Sequence, residues 1–149
     1  MKKHICLVIA ILLSVSLLAQ KKITPETKSA LLSIDIPADA KADKRFLIKL
    51  ATEALLNMKL KPMQIGLKSY EYFFWKDSKI METRGVSIID SLIKNLKANS
   101  WTMAFDATDD SVIWLLKDNK PLILEYITAK THIELYVGEL DKVPAVTFQ

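Results

Sequence analysis

Two glutamates and one histidine are the residues of this chain best suited to acid–base chemistry. Glu71 and Glu125 interrupt segments that are otherwise apolar, and a carboxyl group buried there would have a raised pKa, as catalytic carboxyls often do. His132 is predicted to share one strand face with Glu134 and Tyr136. Glu71, Glu125 and His132 are therefore the candidates if the protein is an enzyme. We favour the simpler interpretation that the two glutamates are solvated or pair with a lysine and that His132 lies at a solvated edge of the sheet.

Other catalytic and metal-binding patterns are absent from the sequence. The single cysteine, Cys6, lies in an apolar N-terminal segment, so neither a disulfide nor a multi-cysteine zinc site can form within the chain. The aspartates at 106–110 do not begin an EF-hand loop, because Ser111 and Lys117 stand where glycine and glutamate are needed. No Gly-x-Ser-x-Gly elbow and no glycine-rich phosphate loop is present. We therefore predict no metal site and no cofactor, and we lean against an enzyme.

The first nineteen residues have the pattern of a signal peptide. A basic start precedes the mostly apolar residues 5–19, a segment shorter than the about 20 residues of a membrane-spanning helix. Ala19 is a small residue suited to the position before a cleavage site, and the segment resembles bacterial export signals. We predict cleavage after Ala19, an exported protein that is periplasmic or secreted, and no stable membrane span afterwards. The alternative is an uncleaved N-terminal anchor.

The rest of the chain has the composition of one folded domain. Half of all residues are hydrophobic and 26% are charged, which suits a chain that builds an apolar core. We assign a flexible leader to residues 20–29 and a single domain to residues 30–149. Lysines are spread along the chain rather than clustered, so we expect no nucleic-acid partner.

Two segments have helical periodicity. In the first, apolar residues recur at three- and four-residue spacing and predict the core-facing side of an amphipathic helix: Phe46, Leu47, Leu50, Ala51, Ala54, Leu55 and Met58. Asp39 or Asp43 would cap this helix, and Pro62 would end it. The second helix is predicted over residues 86–98, with an apolar stripe of Ile89, Leu92, Ile93 and Leu96.

Predicted strands occupy most of the remaining sequence. One lies near residues 30–36, one at 69–76, and a meander of short strands runs from 101 to 137, with an edge strand in the C-terminal tail. The order predicts an α+β fold of the form β-α-β-α-β-β-β. We expect a single, mainly antiparallel sheet of five to six strands with both helices packed on one face.

This predicted sheet has more apolar surface than two helices on one face would cover. A sheet with one face in water alternates apolar and polar residues, but the segments 73–75, 112–116 and 121–124 are apolar on both sides. The second face could be covered by a second copy of the chain, an envelope protein, a small apolar ligand, or the chain's own ends. The candidate contact residues are Trp75, Trp114, Ile123 and Tyr126.

The sequence thus favours a small exported binding or interaction domain that uses an apolar, aromatic sheet face. The alternative is a small exported enzyme or ligand carrier with a pocket between a curved sheet and the helices. In that case Glu71, Glu125 or His132 would supply a polar group inside the pocket.

We expect the chain recovered from the periplasm of an expressing bacterium to begin at Gln20, because Ala19 meets the small-residue requirement of the cleavage site. Intact mass spectrometry measures this directly. The variant Ala19→Asp, which places a charge at the cleavage position, should keep the N-terminal segment. A wild-type mass equal to that of all 149 residues would contradict cleavage and support the anchor.

Overall fold

The computed structural model describes residues 23–76, 81–129 and 131–148. The predicted signal peptide at 1–19 and the start of the predicted leader lie outside the described residues. The first half of the chain forms β1 (Ile23–Pro25), β2 (Lys28–Ser29), β3 (Ile34–Asp35), β4 (Lys41–Asp43), α1 (Phe46–Leu60), a short 3₁₀ turn (Lys61–Met63) and β5 (Leu67–Lys76). The second half forms α2 (Met81–Ala98), β6 (Thr102–Phe105), β7 (Val112–Lys117), β8 (Lys120–Thr128) and β9 (His132–Leu140).

The main sheet has seven strands in the order β1-β4-β5-β9-β8-β7-β6, and every neighbouring pair is antiparallel. The long strands β5, β9 and β8 form its centre. In contrast, β4 pairs with only two residues of β5, Phe73 and Phe74, so β5 continues well past the end of β4. A separate two-stranded hairpin is formed by β2 and β3.

The two helices pack on opposite faces of the sheet. Successive strand residues point to opposite sides, and β9 shows the consequence. Ile133 and Val137 belong to a core that contains Leu92 and Leu96 of α2, whereas Leu140 belongs to a core that contains Leu56 of α1. The hairpin region adds Leu32 and Ile34 to the α2 side, and the tail residues Val146 and Phe148 pack on the α1 side. The chain itself therefore supplies cover on both faces.

The predicted fold, one sheet of five to six strands with both helices on one face, is wrong on these points. The main sheet has seven strands, a second sheet has two, and the helices lie on opposite faces. Of the strand predicted near residues 30–36, only β3 (Ile34–Asp35) is present, and it lies in the second sheet. The additional strands β1, β2 and β4 are two or three residues long, which is too short for a periodic signal. The strands that are apolar on both sides are explained by two helices, since each face of the sheet receives one.

The predicted core-facing side of α1 is also wrong, except for Leu55, which is half-buried and packs against the same core as Leu56. Phe46, Leu47, Leu50 and Met58 are between 53% and 73% exposed, and the buried residues of α1 are Thr52, Leu56 and Leu60. Thr52 is accommodated because its hydroxyl donates to the Ile48 carbonyl at 2.8 Å. Residues four apart lie on one side of a helix, so Thr52, Leu56 and Leu60 form a narrow buried side opposite the exposed apolar residues.

Gly138 of β9 lets α1 approach the sheet. A Cβ at this position would lie 3.0 Å from Leu56 Cδ1 and 3.0 Å from Ile123 Cγ2, and only 2.6 Å from Leu67 Cδ1. Side-chain carbon atoms do not pack that closely. The missing side chain at residue 138 therefore leaves the space that Leu56 fills.

This orientation predicts opposite outcomes for two leucines on the same helix. Leu56→Ala should destabilise the fold by about 2–5 kcal/mol, because it empties a buried site. Leu50→Ala is the matched control, the same substitution on the exposed side, and should change stability by less than about 0.5 kcal/mol. Urea unfolding followed by circular dichroism measures both. Equal losses would contradict the orientation of α1.

Candidate functional site

The exposed side of α1 is the largest run of apolar side chains at the described surface. Six residues lie along it, and we call them the outer stripe: Phe46, Leu47, Leu50, Ala51, Ala54 and Met58. The other large apolar residues with more than a third of their surface exposed, Phe105, Ile127 and Val143, lie on other elements of the described chain. Contiguous apolar patches of this kind mark contact sites more often than scattered single residues do.

Basic residues flank the outer stripe at both ends. Between residues 44 and 64 the chain has five basic residues and one acidic residue, Glu53; the basic ones are Lys44, Arg45, Lys49, Lys59 and Lys61. Arg45 pairs with Asp43, at 2.6 Å between Nη2 and Oδ2, and Lys59 pairs with Asp109. Lys44, Lys49 and Lys61 are exposed and have no ion pair within the described part of the chain.

An ion-pair cluster fastens the C-terminal half of α1 to the sheet. Lys59 Nζ donates to the Asp109 carboxylate and lies 3.6 Å from Oε1 of Glu125. Asp109 also accepts hydrogen bonds from the Ser111 hydroxyl and backbone N–H. The Lys59 and Ser111 hydrogen bonds hold the pKa of Asp109 at about 2, so this carboxylate stays ionised.

Glu125 is the residue of this cluster whose carboxylate is in an unfavourable environment. It is only 5% exposed, and its Oε2 atom has no hydrogen-bond partner among the described residues. Burial raises the pKa of Glu125, and the attraction of Lys59 opposes this shift only in part. The buried carboxylate therefore costs stability at neutral pH, while it helps to hold Lys59 in place.

A second polar group lies on the same face of the sheet as α1. The carboxylate of Glu134 accepts hydrogen bonds from the hydroxyls of Tyr72, at 3.1 Å, and Tyr136, at 2.5 Å. The Nε2 atom of His132 lies 3.7 Å from the same carboxylate. Burial, followed by the nearby Glu134 charge, raises the pKa of both tyrosines. The predicted shared face of His132, Glu134 and Tyr136 therefore does bring these side chains together.

The three candidate residues for an enzyme, Glu71, Glu125 and His132, do not lie together in one site. Glu71 lies on the opposite face from Glu125, where it accepts hydrogen bonds from the Ser29 hydroxyl and from the backbone N–H groups of Ala30 and Leu31. It thereby holds the loop between β2 and β3. Glu125 lies beneath α1, and His132 is at the beginning of β9. No group of three histidine, cysteine or acidic side chains in the described part of the chain could hold a metal ion.

The predicted binding residues lie within the two cores rather than on one surface. Trp75, 3% exposed, is in the α2 core, and its indole N–H donates to the carbonyls of Pro37 and Ala38. Trp114, 2% exposed, and the fully buried Ile123 are in the α1 core. Tyr126 is half-buried against the α2 core and donates to the Asp110 carbonyl at 3.0 Å. A contact at these residues stays a prediction.

A cleft of about 420 Å³ opens beside the N-terminal half of α1. It lies where β4 ends and β5 continues, and its polar lining includes Asp43, Lys49, Thr52, Tyr70 and Tyr72. A smaller space of about 310 Å³ lies at the other end of the helix, next to Met58, Lys59 and Asp109. Both spaces therefore border α1.

The sequence did contain a signal for the outer stripe. The predicted apolar side of α1 left out Leu56 and Leu60, although they lie four residues apart and mark a second apolar side. A helix that is apolar on two sides covers one surface with each. Only one side of α1 is covered by the described chain, because Leu56 and Leu60 contact the sheet and the outer stripe faces away from it.

Searches of protein-family models, of curated proteins and of solved structures find no match to this chain. Among the described residues, no helix is both long enough and apolar enough to cross a membrane.

The raised pKa of Glu125 predicts a pH-dependent gain in stability for Glu125→Gln. An acid whose pKa is raised by folding favours the native state below its unfolded pKa, near 4.5, and this contribution is lost as the pH rises through the folded value. The difference in unfolding free energy, variant minus wild type, should therefore increase from pH 4.5 upward. It should grow by about 1.4 kcal/mol for each unit by which folding raises the pKa.

Urea unfolding at a series of pH values measures this difference. Burying the glutamine amide changes the unfolding free energy by an amount that does not depend on pH. It therefore shifts the whole plot of this difference against pH but leaves its slope unchanged. Glu53→Gln, which removes an exposed charge from α1, is the matched control. A difference that stays flat above pH 4.5 for Glu125→Gln would contradict the role assigned to burial.

Proposed function

We propose that the chain is an exported, non-enzymatic binding domain that attaches to an apolar and acidic partner surface through the outer stripe of α1. The observation that carries this proposal is the exposure of Phe46, Leu47, Leu50 and Met58 in one line on a helix that is fastened to the sheet. Export rests on the predicted signal peptide at residues 1–19.

The energetics of the outer stripe favour a contact. Burying a leucine, phenylalanine or methionine side chain contributes about 1.5–3 kcal/mol, and α1 leaves four such side chains largely in water. The helix cannot turn them inward without withdrawing Leu56 from the space above Gly138 and Lys59 from Asp109. The outer stripe is therefore held outward by interactions on the other side of the helix, as a binding surface must be.

The charges around the stripe favour an acidic partner over a second copy of the chain. Two copies of α1 packed antiparallel would bring the exposed Lys44 of one copy towards the exposed Lys61 of the other, at both ends of the contact. Arg45 and Lys59 are already paired with Asp43 and Asp109, so these lysines are the charges left without a partner in the described chain. Like charges across a contact disfavour it, and opposite charges steer the correct partner. A partner that carries negative charge around an apolar surface fits both features.

A ligand carrier remains the second candidate, because the 420 Å³ cleft beside α1 has the volume of a small-molecule site. Its lining includes the charged groups of Asp43, Lys49 and Glu71, which would suit a polar ligand rather than an apolar one. The outer stripe has no role in a carrier of this kind. A partner found in contact with the outer stripe would therefore distinguish a binding domain from a ligand carrier.

Site-specific photo-crosslinking in the expressing cell tests the proposal. A photoreactive phenylalanine analogue replaces Phe46 in the full chain, and irradiation should yield a covalent adduct with a protein or a lipid. The matched control is the same replacement at Phe105, which is 58% exposed but lies on β6, away from the outer stripe. It should yield several-fold less adduct. If Phe46 yields no more adduct than Phe105, the proposed function is wrong.

A further inference from the structure

We propose that the partner of the outer stripe is the surface of an anionic lipid bilayer. In this arrangement α1 lies flat on the bilayer, with Phe46, Leu47, Leu50 and Met58 among the upper acyl chains and the flanking lysines at the phosphates. This inference rests on the proposed function, and it identifies the partner of the same site.

The shape of the stripe fits a fluid surface better than a folded protein. From Phe46 to Met58 it extends about 18 Å along a helix about 10 Å wide, so its projected area is about 200 Å². A standard protein–protein interface takes about 800 Å² from each partner. The stripe is also a convex ridge, for which a protein partner would need a matching groove. Lipids need none, because they rearrange around the inserted side chains.

The composition of α1 is that of a helix that lies in a membrane interface. Such helices combine phenylalanine and leucine on one side with lysine or arginine at the polar borders. The exposed, unpaired cation Lys44 lies just before the first residue of α1, and Lys61, also exposed and without an ion pair in the described chain, directly follows its last residue. Lys49, seven residues before Leu56, lies on the side of the helix opposite the stripe and lines the cleft. Both ends of the stripe can therefore contact lipid phosphates at the same time.

Flotation with lipid vesicles tests this inference on the chain recovered after export. The probes are vesicles of phosphatidylglycerol and phosphatidylcholine in equal parts, and vesicles of phosphatidylcholine alone. We expect the wild-type chain to float with the anionic vesicles and to bind at least tenfold less to the neutral ones. Higher salt should weaken the binding, because it screens the lysine–phosphate attraction.

Two double variants and one matched control assign the contact. Leu47→Ser with Leu50→Ser removes apolar side chains, and Lys44→Glu with Lys61→Glu reverses charge at the two ends of the stripe; each should reduce binding to anionic vesicles at least tenfold. Lys94→Glu with Lys97→Glu makes the same charge change on the exposed side of α2 and should leave binding within twofold of wild type. Unchanged thermal unfolding verifies that every variant is folded.

The outcomes separate this inference from the proposed function. Binding that the α1 variants do not reduce would assign the lipid contact to another surface of the chain and overturn the inference. No vesicle binding, together with a protein adduct at Phe46 in cells, would overturn the lipid assignment but retain the proposed function with an acidic protein as partner. No vesicle binding and no adduct would overturn both. A phospholipid adduct at Phe46, identified by its mass, supports both.

Discussion

The close approach of Leu56 to the sheet at Gly138 is the contact on which the arrangement of the α1 face depends. Any side chain at residue 138 would push Leu56, Leu67 or Ile123 out of position, so the glycine fixes how near the helix can lie. Leu56 and Leu60, which are fully buried against the sheet, determine which side of the helix faces it, and the ion pair from Lys59 to Asp109 adds to this orientation. With these two contacts made, the outer stripe can only face outward.

The contact between α1 and the sheet contains an unfavourable interaction as well as favourable ones. Glu125 is buried with one carboxylate oxygen unpaired, a cost that a well-packed apolar residue would avoid. The neighbouring tyrosines show the contrasting case, since Tyr72 and Tyr136 both donate to Glu134 and leave that carboxylate satisfied on both oxygens. The cost at Glu125 is compatible with stability because the two cores on either side of the sheet contain most of the large apolar side chains.

The two faces of the sheet are covered in different ways. On one side, α2 and the β2–β3 hairpin close a core around Trp75 and Trp101, whose indole N–H groups donate to backbone carbonyls. On the other side, α1 covers only part of the sheet and presents a second apolar side of its own. The proposed attachment to a lipid surface uses this asymmetry, since among the residues whose burial is described an exposed apolar stripe with lysines at its ends is found on the α1 side.

Local pattern was enough to predict that residues 46–60 and 86–98 are helical, because helical periodicity and a terminating proline are properties of neighbouring residues. It was also enough to show that several strands are apolar on both sides. It could not show that both faces are covered by the chain itself, because the strands within residues 23–43 are too short to leave a periodic trace and the face on which each helix packs is not a local property. Nor could it choose between the two apolar sides of α1, since both have the spacing of a core-facing stripe. That choice depends on Gly138 and Asp109, which are more than 45 residues away along the chain and meet α1 only in the folded state.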